Sequence, residues 1–238
     1  GYDKYLGGCH MIPNHAIIIL SLLFGDDDLQ KTLMIVNTAG HDTDCNSGNV
    51  GCIMGIKNGL EGLRNGPDYL TPIQDRMYCP TANGGETQTD ALTEAYKVIN
   101  TAKKMNKEET VEPKNGSRFH FEMPGSVQGW RSSFKNNKNI STIVENTEYE
   151  SSIGKRALEI KFDRVAPGVC SEAVVDTFFP QELYELTGAV RERFFQSYNF
   201  ISCPLLYSGQ NIESEIIFKS DSQKPITVTC FINVFGED

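Results

Sequence analysis

The sequence has no Cys-x-x-Cys pair, a single tryptophan, no excess of basic residues and no long apolar run. Without a Cys-x-x-Cys pair, neither a zinc knuckle nor a thioredoxin-type motif is supported. Seven cysteines are nevertheless present, at Cys9, Cys45, Cys52, Cys79, Cys170, Cys203 and Cys230. The number is odd, the spacings are long, and Cys230 is flanked by Val228, Phe231 and Ile232. These residues are expected to be reduced, buried small hydrophobes in a reducing compartment, which points to a cytoplasmic location. The longest apolar run covers 16–20 and continues at 22–24 beyond Ser21. It is far short of the roughly 20 residues a helix needs to span a bilayer, so no membrane partner is expected. Lys and Arg number 22 against 31 Asp and Glu, a net charge of -9. That balance argues against general nucleic-acid binding and suits a protein that collects cations.

A hydrophobic fraction of 39% with 22% charged residues over 238 positions is enough for a packed core. Two halves differ in period. Residues 15–24 form an apolar segment. Asp26, Asp27 and Asp28 then read as the cap and first turn of a helix over 29–38, in which Leu29, Leu33 and Val36 share a face. A helix over 45–63 carries Gly48, Gly51, Gly55 and Gly59, a spacing expected to allow close approach to a neighbouring helix. A further amphipathic helix is expected over Thr89 to Met105, capped by Thr89 or Asp90. The charged stretch 108–118 breaks at Pro113 and Gly116 and reads as a linker. Beyond it the period changes to two. Phe119, Phe121 and Met123 alternate, and strands are expected near 157–160, 173–179, 199–202, 211–219 and 226–235. The expected organisation is a helical domain over 1–107, a linker over 108–118 and an antiparallel β-sandwich over 119–238.

The chemistry-bearing stretch is Gly40-His41-Asp42-Thr43-Asp44-Cys45-Asn46, between two helical segments. A tight turn directs positions i and i+2 to one side, so Asp42 and Asp44 can converge on one hard cation. The same residues can instead simply cap the glycine-rich helix, whose positive end attracts acids or a phosphate. The glycine spacing matches neither a P-loop nor a dinucleotide fingerprint, and no EF-hand ladder follows.

Taken with Gly7 to Ile17, the segment 37–55, Gly59 to Leu63, the Pro72 to Tyr78 stretch and Thr89 to Ala91, this motif resembles the C-terminal part of the ADP-ribosylglycohydrolase family. The resemblance covers roughly residues 1–105. It implies an all-helical fold and a binuclear Mg²⁺ centre built between an N-terminal Thr-Asp-Asp cluster and a C-terminal Gly-Asp-x-Asp motif. On that basis Asp42, Asp44 and Cys45 are metal ligands, and Gly40, His41 and Asn46 lie against the substrate. Cys45 stands where a hydroxyl is usual, and His41 replaces a glycine. No Thr-Asp-Asp cluster is found, so the chain is expected to be the C-terminal portion of a longer catalytic domain, completed by the missing N-terminal part or another chain. The implied reaction is metal-dependent hydrolysis of the glycosidic bond of ADP-ribose adducts. The second half resembles a jelly-roll carbohydrate-binding module through Gly154-Lys155 to Leu158 and Tyr207 to Gln210. Trp130, Tyr149, Phe178, Phe179, Tyr184 and Tyr207 are its candidate stacking residues. The alternative is a non-catalytic relic whose sandwich binds glycans or a protein.

Overall fold

The computed structural model describes residues 1–79, 81, 83, 85–133, 142–162, 171–179, 182–197 and 203–233. The chain divides into two units, Gly1–Leu205 and Leu206–Asp238. Helix α1 spans Met11–Phe24, α2 spans Leu29–Thr38 and α3 spans Thr43–Arg64. Asp28 caps α2 by accepting from the Lys31 N–H at 2.6 Å, as its position before the periodic segment predicts. Leu29 and Val36 of α2 and Val50 and Met54 of α3 form the buried core. Ile17, Ile18 and Leu22 of α1 cover it, together with Leu33 and Leu63. The other side of α1 leaves Met11, Ile12, Leu23 and Phe24 exposed.

Of the glycine series on α3 only Gly51 lies against a neighbouring helix, where a Cβ would come 3.9 Å from Leu33 of α2. A side chain at Gly48, Gly55 or Gly59 would meet nothing within 4 Å, so no neighbouring helix approaches there. Gly59 has φ 65° and ψ -166° and interrupts the helix instead, a conformation essentially confined to glycine.

Strand β1 (Met77–Tyr78) pairs antiparallel with β2 (Gln88–Thr89), immediately before helix α4 (Ala91–Met105). Asp90 caps α4 by accepting from the Thr93 N–H at 2.9 Å. Residues 113–116 form a single 3-10 turn. Asn100 fixes the chain entering that turn, exchanging two hydrogen bonds with the Val111 backbone at 2.8 and 3.0 Å. Four more strands follow: β3 (Arg131–Ser132), β4 (Thr142–Glu148), β5 (Arg156–Phe162) and β6 (Ala173–Val174). β3 pairs with β6, and β4 with β5 in register from Thr142↔Phe162 to Glu148↔Arg156, all antiparallel. Helices α5 (Glu182–Glu185) and α6 (Gly188–Ser197) complete the described elements of this unit.

The expected fold class is overturned. Among the described residues every sheet has two strands, and no jelly-roll-like sandwich forms over 119–238. The helices do not assemble an ADP-ribosylglycohydrolase-type all-helical domain either. α1, α2 and α3 make one small cluster, and the chain between α3 and α4 runs through turns and the β1–β2 ladder. The physical reason is that period two marks a segment able to be a strand without naming its partner. The alternating side chains of 119–123 enter a loop, and of 173–179 only the first two residues pair. In the second unit, 211–219 and 226–233 carry no strand, and their apolar side chains are exposed. The strand expected at 199–202 lies outside the described residues.

The cysteines are also corrected. Cys9, Cys45, Cys52 and Cys230 are exposed, and Cys79 and Cys203 are half-buried, so those described are not core residues. Among the described residues, no helix is long and apolar enough to cross a membrane.

Candidate metal centre

The loop between α2 and α3 is built by two consecutive left-handed residues, Gly40 at φ 83° and His41 at φ 57°. A non-glycine residue in that region needs outside support. Tyr2 supplies it: its hydroxyl accepts from the His41 N–H at 2.6 Å, and the two rings stack with centroids 4.1 Å apart. Ser47 ties the far side of the loop to the end of α2, donating to Asn37 Oδ1 at 2.8 Å. The N-terminal segment and the start of α3 are thereby held together.

Asp42, Asp44 and Cys45 each place a ligand atom within 4.8 Å of the others, with Asp42 half-buried and the other two exposed. Asp42 occupies the N-cap position of α3 but makes no capping hydrogen bond, in contrast to Asp28 and Asp90 at the matching places on α2 and α4. A hydrogen bond from the Asp44 carboxyl, then one from the Cys45 thiol, hold Asp42 below the usual carboxylate range; partial desolvation opposes them, and Cys9 and the Cys45 N–H add smaller contributions. The Cys45 thiol is pushed up by its hydrogen bond to Asp42 and by the nearby carboxylates. Cys9, from the segment before α1, is pushed up in the same way by its hydrogen bond to Asp42. Two carboxyls this close repel when both are ionised, and a proton or a cation between them relieves the repulsion.

The predicted site residues thus divide. Asp42, Asp44 and Cys45 come together. Gly40 and His41 form the turn beside them, engaged with Tyr2. Asn46 is buried, and its amide donates to Asn14 Oδ1 at 3.4 Å. Cys9, which the sequence did not point to, lies outside that group of three and acts on Asp42 electrostatically.

A second constellation, also absent from the sequence reading, lies under β2 and α4. Asp90 and His120 are each 1% exposed. His120 Nδ1 accepts from the Glu122 N–H at 3.1 Å, so in the neutral ring Nε2 carries the proton toward Asp90 Oδ1, 3.2 Å away. Gln128 Nε2 and the Thr93 hydroxyl both donate to Asp90 Oδ2 at 2.8 Å. Burial works to raise the Asp90 pKa, but the bonds from His120 and Thr93 outweigh it and bring it to about 2. Asp75, also buried, takes the Ser126 hydroxyl on one oxygen and the Ala91 N–H on the other at 3.1 Å. Burial dominates there and raises the pKa. The knot is sealed from solvent, and it joins the flanks of the 108–118 stretch. Its role is to hold the fold.

The candidate stacking aromatics pack locally. Trp130 meets Phe119 edge-on at 5.7 Å, and Phe178 packs on Phe179 at 4.5 Å. Tyr149 and Tyr207 are exposed, and the side chain of Tyr184 lies outside the described residues. The Tyr207 to Gln210 segment is a turn in which the Tyr207 N–H donates to Gln210 Oε1 at 2.5 Å. No known protein family, curated protein or solved structure matches the chain.

Proposed function

We propose that the chain carries one half of the metal site of a hydrolase that cleaves the glycosidic bond of ADP-ribose adducts. The observation that carries this reading is the convergence of Asp42, Asp44 and Cys45 within 4.8 Å. The substrate class comes from the resemblance of the surrounding motif to the ADP-ribosylglycohydrolases. The carboxylates fit a divalent cation, Mg²⁺ being the one the resemblance implies; a thiol beside them is a poor ligand for Mg²⁺. When bound, such a cation polarises the oxygens it contacts and favours ionisation of bound water.

The chain's own residues supply position and charge. Asp42 is held below the ordinary carboxylate range, chiefly by its neighbours Asp44 and Cys45. The positive end of α3 favours the accumulation of anionic groups there. Tyr2 keeps the Gly40–His41 turn in the conformation that sets Asp42 ahead of the helix. Two ligands of one cation are not the pair of carboxylates set about 5 to 9.5 Å apart that flanks a sugar in ordinary glycosidases, so neither is assigned as acid or base.

Calorimetric titration with Mg²⁺ tests the site. Heat from the native chain and none from Asp42→Asn supports the reading, and equal heats from both remove it. Hydrolysis of ADP-ribosylated substrate by the complete gene product, lost in Asp44→Ala, separates an enzyme from a non-catalytic relic.

A further inference from the structure

In the second unit, 211–219 and 226–233 carry no strand and their side chains are exposed. Side chains of an extended segment alternate between two faces. Ile212, Ile216 and Phe218 therefore share one face of 211–219, and Ile226, Val228 and Ile232 share one face of 226–233. Exposed extended chain of this kind is a template for pairing with another strand. Between the two segments Ser222 braces a turn: its N–H donates to Ser220 Oγ at 3.1 Å, and its hydroxyl donates to the Lys224 carbonyl at 3.0 Å.

The charges select the partner. Segment 211–219 carries Glu213, Glu215 and Lys219. Two copies related by a two-fold axis pair antiparallel about a residue that faces itself. Within this segment, Lys219 meets a glutamate in two such registers, about Ile216 and about Ile217. About Ile217, Glu215 faces the partner's Lys219, but Glu213 faces the partner's Asp221, and like charges directly opposite destabilise a ladder. About Ile216, Glu213 faces the partner's Lys219 on both sides of the axis, Glu215 faces the partner's Ile217, and no like charges are opposed. We infer that 211–219 pairs with the same segment of a second copy of this chain, antiparallel about Ile216. Each chain then returns 226–233 along its own outer edge, with Phe218 beside Ile226 and Ile216 beside Val228. The result is four strands with the apolar side chains on one face. A lone two-stranded hairpin is marginal in water, so the ladder forms on association and not in the separate chain.

Sedimentation velocity over a range of protein concentrations, with hydrogen exchange on the same samples, tests the pairing. The native chain is expected to pass from monomer to dimer, with protection in 211–219 rising alongside. Glu213→Lys sets two lysine pairs in opposition and Lys219→Glu two glutamate pairs, so each weakens the dimer by about tenfold. The two changes move the net charge of -9 in opposite directions, so a loss in both is not an effect of overall repulsion. The double variant restores dimerisation. An equimolar mixture of the two single variants does the same, because every cross-chain pair is again of opposite sign. Glu215→Lys leaves dimerisation within about threefold of the native level. All three positions are exposed, so none of the changes threatens folding. A chain that stays monomeric, a dimer indifferent to Glu213→Lys and Lys219→Glu, or a mixture that associates no better than its components overturns the inference. So does a loss in Glu215→Lys equal to that in Glu213→Lys, or protection in 211–219 that does not change with concentration.

Discussion

Two buried aspartates only fifteen positions apart respond to the same burial with opposite signs, and the difference lies in their donors. Asp90 gathers Thr93, His120 and Gln128 around an ionised carboxylate, whereas Asp75 has one hydroxyl and one N–H, which do not offset its desolvation. The folded-state pKa of Asp90 is about 2, against an ordinary 3.8. A depressed carboxyl stabilises the fold fully above its ordinary value and loses that contribution as pH falls through the folded value. The shift corresponds to about 2 kcal/mol at pH 7. Asp90→Asn is therefore expected to lower unfolding free energy by about 2 kcal/mol at pH 7, with the gap to the native protein closing between pH 5 and pH 2. Urea unfolding of both proteins across that range checks it, and a pH-independent gap would contradict the account of a hydrogen-bonded, ionised carboxylate. Asp75 carries the reverse sign: its raised pKa means stability is lost as pH rises through the raised value. Asp75→Asn keeps an acceptor for the Ala91 N–H, so at pH 7 it is expected to match or exceed native stability, while at pH 3 the two converge.

Among the elements, the helices were legible because their signals are local. Asp28 and Asp90 sit at the cap positions their places before periodic segments predicted, and the strand over 156–162 follows its alternation. The sandwich was not legible, because each of its segments would need a partner that alternation does not specify. The candidate centre was half legible. Asp42 and Asp44 lie two positions apart in one turn, but the turn is held by Tyr2, 39 positions from His41, which no local pattern could show. Asp90 and His120, 30 positions apart, were hidden for the same reason. The α3 glycines show how one residue type serves two ends on one element. Gly48 and Gly55 have helical backbones and open space, so Gly48→Ala and Gly55→Ala are each expected to stabilise by up to about 1 kcal/mol through helix propensity and a less disordered unfolded chain. Gly59→Ala forces a side chain into a conformation reserved for glycine and is expected to cost about 1–3 kcal/mol. Thermal denaturation of the three single variants decides the matter; stabilisation by Gly59→Ala would mean that α3 runs unbroken.

For the whole molecule, the two units differ in how their backbone polar groups are satisfied. Within Gly1–Leu205, helices, two-stranded ladders and the Asp90 knot tie distant segments together. In the second unit the described residues from Leu206 to 233 are nearly all exposed, short turns at Tyr207–Gln210 and Ser220–Lys224 carry hydrogen bonds, and 211–219 and 226–233 carry no strand. Backbone amides without an internal partner bond to water and exchange at close to the rate of an unfolded chain. Hydrogen exchange is therefore expected to be fast throughout 211–219 and 226–233 while the amides of α2 and α3 stay protected. Limited proteolysis should cut first in the second unit and leave a persistent fragment ending near Leu205. The apolar side chains there, Ile216, Ile217, Phe218, Val228, Phe231 and Ile232 among them, are exposed, and no described strand pairs with these segments. If slow exchange is found in 211–219 and 226–233 at low protein concentration, those segments pair within the chain. Protection that grows with protein concentration places the pairing between chains, where exposed extended segments with apolar side chains meet edge to edge.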